Sequence, residues 1–575
     1  MSNLTGIAPY QLKRNFLSPQ FKVERWSDIE PFYKELKDRP LHSVQELEKW
    51  LRDLSELDTI INEEFGWRYI RMTCDTASEP LLLAYNFFLE EIIPHIEPFS
   101  DFFNKKIIDS PFLASLDKKK FEIFIKEVKN ELEIFRQENI PLYTKLNTEE
   151  QKFAIISGEM TVHFEGKELT LQQAAVYLKK KDRSVRETIF RLINGRRLQD
   201  SEKIDSLFDL LISLRLQIAT NAGFANFRDY KFKSLARFDY TVEDCMDFHQ
   251  SIQLEVIPLM AELDESRAKK LNLSSLRPWD LEVDAEGKEP LHPFNNAEDL
   301  IQKSIQCFYK VRPFFGECLE TMNSNGRLDV ASRKGKAPGG YNYPLNESGI
   351  PFIFMNAAGL HRDLVTMMHE GGHAIHGFLT NELELDTFKN CPSEVSELAS
   401  MSMELISMDH WNLFFENPDD LKRARKEQLE KSIRSLAWIA AVDKFQHWIY
   451  ENKNHSVQDR KVAWINIMKQ LSSPVVDWSG LTYFRESGWH AQLHIFDAPF
   501  YYIEYGMAQL GALAIWRNYK INPQKTLDQY EAALKLGHTR SIPEVYATAG
   551  IKFDFSKEYV HEIVEFVKQE LREIN

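Results

Sequence analysis

The sequence predicts a mainly α-helical protein with a small β element just ahead of a metal-ligand motif. Three observations carry that prediction. Apolar residues recur at helical spacing along most of the chain, alternating segments are few, and only two stretches, 276–294 and 332–349, are rich in the Gly and Pro that mark loops. At 575 residues the chain is too long for one simple core, so more than one packed unit is expected. The division expected is an N-terminal helical region over 1–144 and a longer portion over 145–575 that contains the motif.

The helices follow in order. Residues 43–64 place Val44, Leu47, Trp50, Leu51 and Leu54 on one face. The same periodicity runs through 118–138, 171–197, 202–222, 242–271, 297–322 and 420–452, and again near 499–519, 523–536 and 557–573. Residues 159–171 alternate around Glu165-Gly166 and predict a β-hairpin. The other strand candidates, 327–343 and 351–356, lie directly before the motif. No internal repeat or low-complexity tract is visible.

Lys and Arg number 71 against 86 Asp and Glu, a formal charge of −15. Nucleic acid and anionic membranes reward a basic surface, so neither is expected as a partner. Cys74, Cys245, Cys307, Cys318 and Cys391 are scattered, odd in number and never spaced C-x-x-C; neither a disulfide framework nor a thiolate metal site is expected. The N-terminal residues lack the apolar core of a signal peptide, and no run of about 18 apolar residues occurs, which points to a cytoplasmic protein without a membrane span.

His369-Glu370-Gly371-Gly372-His373 reads H-E-x-x-H. On a helix, residues four apart lie on one face, so both imidazoles aim at one point, as a tetrahedral zinc site needs. Glu370 is turned by about 100° from His369 and reaches a water instead of the metal. Leu364, Val365, Met367, Met368, Ile375 and Phe378 suit a buried helix. Two adjacent helical glycines cost about 1 kcal/mol each relative to Ala, so a close approach of another backbone or of substrate should compensate.

A second helix is expected over 393–404, capped by Ser393 or, less favourably, Ser396. Glu394, Glu397 and Glu404 share one of its faces, and one of these carboxylates can complete a two-His, one-Glu set that leaves a fourth position open for catalysis. With Glu397 as that ligand, Glu404 stands about two turns away, where it can hydrogen-bond a ligand histidine.

HEGGHAIH followed by PSEVSELASMSMEL resembles the thimet oligopeptidase and oligoendopeptidase F family of zinc metallopeptidases, closest to the oligoendopeptidase F branch. Supporting stretches are LRPWDL at 276–281, RKGKAPGGY at 333–341, PFIFMN at 351–356 and FYYIEYGMAQLGAL at 500–513, so the resemblance covers about residue 141 to the C-terminus. It implies a helical fold with two lobes flanking a deep, narrow substrate channel, one zinc ion per chain at the channel floor, and endopeptidase action on short oligopeptides. It also implies that 145–575 is the catalytic domain. In that family an E-x6-E pattern supplies the third ligand; this makes Glu397 the ligand in preference to Glu394, beside His369 and His373, with Glu370 as general base toward zinc-bound water. The family's C-terminal His and Tyr, which stabilise the tetrahedral intermediate, fall in 490–505. His494 and Tyr502 fit best, then Tyr505, with His490 behind, and Tyr501 shares a helical face with Tyr505.

Residues 351–356 are expected to form an edge strand that pairs with the peptide main chain, with an ordinary core strand as the alternative. His376 is read as packing near the site, and His361, His410 and His447 show no partner pattern. Two competing readings are a related carboxypeptidase, which needs a fixed basic group for the terminal carboxylate, and a zinc-containing peptide binder, which would gain nothing from Glu370.

Overall fold

A computed structural model describes residues 12–574. Helices dominate, and the strands among the described residues are β1 (Thr161–Phe164), β2 (Lys167–Thr170), β3 (Leu328–Ala331), β4 (Tyr341–Tyr343) and β5 (Phe352–Ala357). No described helix is long and apolar enough to cross a membrane. The chain divides into two compact units, each assembled from three separate stretches. One draws on the chain up to Glu133, Leu291–Gln428 and Gly511–Phe553; the other on Ile134–Pro290, Leu429–Leu510 and Asp554–Asn575.

In the first unit, the helix Val44–Cys74 begins where the sequence places it, because Ser43 is extended and its side chain accepts from the Glu46 backbone N–H. Its buried stripe of Leu47, Trp50, Leu57 and Ile60 packs with Tyr33, Phe88, Phe103 and Phe121 from neighbouring helices. Trp50 Nε1 donates to the Leu36 carbonyl at 2.8 Å, so this buried indole carries no unpaired donor. The helix expected over 297–322 is two helices, Ala297–Val311 and Pro313–Ser324. Arg312, between them, is extended (φ −160°, ψ 135°), as the residue before a proline prefers.

The three-stranded sheet of this unit has the order β3-β5-β4, with β3 parallel and β4 antiparallel to β5. β5 is therefore the central strand, and the expectation of an edge strand at 351–356 is corrected. The physical sign was in the residues: Phe352, Ile353, Phe354 and Met355 are all buried, and a continuous apolar run marks a strand covered on both faces. The open edge beside the motif helix belongs to β4.

In the second unit, β1 and β2 form the expected hairpin, with Glu165 (φ 50°) and Gly166 (φ 74°) both left-handed, as a two-residue primed turn requires. The pattern over 171–197 is broken. Lys180 is extended, and the helix Arg183–Gln199 starts afresh with Asp182 accepting from the Ser184 N–H. The pattern over 242–271 carries a π-turn at Ile252–Val256 between the helices Val242–Ser251 and Ile257–Lys270, next to Pro258, which lacks an N–H for the regular ladder.

A fully buried Arg215 organises the neighbourhood of residue 494. Its guanidinium donates to Glu150 Oε1 at 2.9 Å, Tyr450 Oη at 2.8 Å, the Ile495 carbonyl at 3.2 Å and the Phe496 carbonyl. A buried charge is tolerated only when paired in this way, and the pairing fixes the backbone next to His494.

Candidate metal centre

The motif helix spans His361–Thr380. The Asp363 carboxylate accepts from the Ala358 and Leu360 N–H groups at 2.7 and 3.0 Å, satisfying donors at its start. The second helix spans Ser393–Ile406. Pro392 holds its N-cap position, with Ser393 as the first helical residue, so the expected Ser393 cap is corrected. Two buried tyrosines tie down its backbone: Tyr546 Oη donates to the Glu394 carbonyl at 3.1 Å and Tyr530 Oη to the Ala399 carbonyl at 2.9 Å.

The paired glycines let these helices meet. A Cβ on Gly372 would lie 2.7 Å from Ser400 Cα and 2.8 Å from the Ala399 carbonyl oxygen, and one on Gly371 would lie 2.4 Å from the Phe308 ring. The close approach of a second backbone is thus present at Gly372. Gly372→Ala should force the helices apart and destabilise the fold by about 2 to 3 kcal/mol despite the better helix propensity of Ala. Zinc content and thermal unfolding of the variant check this; a Tm equal to that of the parent would contradict it.

The geometry brings His369, His373 and Glu397 together: one donor atom from each lies within 4.8 Å of the others. Glu397 Oε2 is 3.3 Å from His369 Nε2 and 3.7 Å from His373 Nε2, and the two imidazole rings are 4.8 Å apart and nearly perpendicular. Ser400 Oγ donates to Glu397 Oε2 at 2.9 Å. Glu404 accepts from His369 Nδ1 at 2.7 Å, and its other oxygen accepts from Gln428 Nε2 at 2.7 Å. Because a carboxylate only accepts, Nδ1 carries a proton, and Nε2 is the ring nitrogen that faces the cluster. Two imidazole nitrogens and one carboxylate oxygen, pre-oriented in this way, fit a zinc ion.

Burial and charge set the protonation of the group. Burial opposes a charge on His369, but Glu397 and Glu404 outweigh it and hold that imidazole well above its ordinary range. Burial pulls His373 down to about 4. Burial acts to raise Glu397, yet His373 and His369 bring it to about 2. Glu370 is buried and is pushed up to about 7, mainly by burial; the Asn342 backbone N–H of β4 hydrogen-bonds its carboxylate.

His494, Tyr502 and Tyr505 belong to the second unit. The His494 ring lies 5.0 Å from Tyr502, 5.9 Å from Tyr505 and 6.1 Å from Tyr501, so one half-buried aromatic group contains all three tyrosines. Gln492 Nε2 donates to His494 Nδ1 at 2.9 Å, and Trp438 Nε1 donates to Gln492 Oε1 at 2.9 Å. His490 is engaged elsewhere: it is buried, with Nε2 3.3 Å from Asp205 Oδ1. His376 is buried 3.4 Å from Cys391 Sγ and pulled down to about 3 by burial, in keeping with packing. Sequence reasoning missed Ser400 and Gln428. Ser400 had a signal, three residues after Glu397 on the same helix; Gln428 had none.

A family model described as Peptidase family M3 matches residues 176–565, and one described as Peptidase M3 N-terminal domain matches residues 16–135. The oligoendopeptidase F homolog of Borreliella burgdorferi is 23% identical over 297 residues, covering 50% of this chain and 48% of its own length. Oligopeptidase PepF of Bacillus subtilis is 23% identical over 304 residues, covering 51% and 44%. The chain thus spans about half the length of the curated relatives it matches. A solved structure of PZ peptidase A with an inhibitor superposes at a TM-score of 0.88 with 25% identity, covering 96% of this chain and 99% of that one.

Proposed function

The chain belongs to peptidase family M3, and on that premise we propose that it is a zinc-dependent endopeptidase hydrolysing internal bonds of short oligopeptides. The observation that carries the reading is the convergence of His369, His373 and Glu397, with Glu370 next in sequence on the same buried helix. In this proposal those three residues hold one zinc ion per chain. A bound zinc ion supplies Lewis-acid polarisation of the scissile carbonyl and acidification of water.

The chain's own residues supply the rest. Glu404 fixes the His369 tautomer through the 2.7 Å contact at Nδ1, and Gln428 fixes Glu404. The Glu370 carboxylate, raised towards neutrality by burial, takes a proton from the attacking water and passes it to the leaving amine nitrogen. His494 and Tyr502, with Tyr505, donate to the developing oxyanion. Support for that role is the ordered aromatic group they form and the Gln492 contact that fixes the His494 ring.

The division near residue 144 belongs to the same proposal; the family matches end at residue 135 and begin again at residue 176 around it. Oligopeptides as the partners and a cytoplasmic location complete it. Chelation followed by reconstitution tests the function. Peptide cleavage should vanish on removal of metal and return when zinc is restored; cleavage that survives complete metal removal would refute the reading.

A further inference from the structure

The second unit holds a group of metal-ligating side chains that the peptidase chemistry does not use. Cys245 and His249 lie four residues apart on the helix Val242–Ser251, and Asp443 and His447 lie four apart on the helix Pro418–Glu451. Each pair presents both side chains on one helix face. All four residues are at most 1% exposed. One donor atom each from Cys245, Asp443 and His447 falls within 4.8 Å of the others, and Asp443 Oδ2 lies 2.8 Å from His249 Nε2 and 3.2 Å from His447 Nε2.

The hydrogen bonding of this cluster is incomplete. Asp443 Oδ1, His249 Nδ1 and both ring nitrogens of His447 are buried without a hydrogen-bond partner; the 3.2 Å approach of His447 to Asp443 is not aligned as one. Buried polar atoms are ordinarily satisfied, and a cation beside the Asp443 carboxylate would take up one of the two open ring nitrogens of His447. Phe232 and Phe500 pack on the His447 ring at 5.7 and 5.2 Å and wall the cluster in apolar surface.

We propose that Cys245, His249, Asp443 and His447 form a closed structural site for a divalent cation, zinc by its ligand chemistry, separate from the peptidase centre. A thiolate, a carboxylate and two neutral imidazoles give four ligands of the types zinc accepts, and the two anionic ligands match a dication, so the loaded site is neutral where burial demands it. The Cys245 thiol gives up its proton to solvent on loading. With no position left for substrate, the role is to pin the two helices together. It also supports the chain beyond them: His447 packs on Phe500, a buried residue at φ 66° whose N–H donates to Gln446 Oε1 at 2.8 Å, immediately before Tyr501 and Tyr502. The absence of C-x-x-C spacing had argued against any thiolate metal site; the pairs are C-x-x-x-H and D-x-x-x-H on helices far apart in sequence, and neither half is distinctive alone.

Cobalt substitution of the full-length protein tests the site apart from the peptidase reading. The His369, His373 and Glu397 set contains no sulfur, so only a cysteine site gives thiolate-to-cobalt charge transfer in the near ultraviolet. The cobalt-loaded parent should show that band and bind two metals per chain. The His369→Ala/His373→Ala variant should keep the band and one metal, and Cys245→Ser should lose the band. Absence of the band in the cobalt-loaded parent would overturn the proposal whether or not any variant folds; so would a band that persists in Cys245→Ser.

Discussion

Glu370→Gln is expected to lower kcat by about 10² to 10⁴ while zinc content and thermal stability stay at the parent level. Such a loss corresponds to about 3 to 5 kcal/mol of transition-state stabilisation. The amide keeps the size of the carboxylate in its buried pocket and keeps an acceptor for the Asn342 N–H, so the fold has no reason to change. It cannot take the proton of the attacking water. Because Glu370 is not one of the three clustered donors, the metal should remain. Metal analysis beside steady-state kinetics on the same preparation checks both halves. Loss of zinc in this variant would mean that Glu370 is a ligand, and near-parental turnover would mean that another group is the base.

The opposite pattern is expected at the ligands. His373→Ala and Glu397→Ala should each lose the zinc of the peptidase centre and, with it, all measurable turnover, because either change leaves only two protein donors there. Glu404→Gln should be graded: it retains the shape and an acceptor for His369 Nδ1 but gives up the charge, and zinc affinity should fall by about 10- to 100-fold. Competition titration with a chelator ranks the variants. Equal zinc affinity for Glu397→Ala and the parent would remove Glu397 from the ligand set.

How much of this was legible in the sequence depended on whether the signal was local. The motif helix, its partner helix and the hairpin at Glu165-Gly166 rest on short-range spacing, and periodicity exposes such spacing directly. The need for a close contact at the glycines was also readable; that it would be Ser400 and Ala399 was not, since packing partners leave no mark on local pattern. Breaks were harder. Arg312-Pro313 and Asp182 interrupt patterns whose apolar periodicity runs straight through them, so the local backbone rule outweighs the periodic one. Residues 351–356 form the central strand, as their unbroken apolar run favours over the edge position that substrate pairing needs. Gln428 and the Cys245–His447 cluster depend on contacts between distant helices, which one sequence without its fold does not display.

Product mapping on peptides blocked at both ends separates internal cleavage by a zinc peptidase from trimming at a free terminus. Mass spectrometry of the zinc-loaded protein with a mixed set of blocked and unblocked oligopeptides is expected to show cleavage at internal bonds in both sets. Release of residues only from free C-termini, with blocked peptides left intact, would contradict it and assign the centre to a carboxypeptidase.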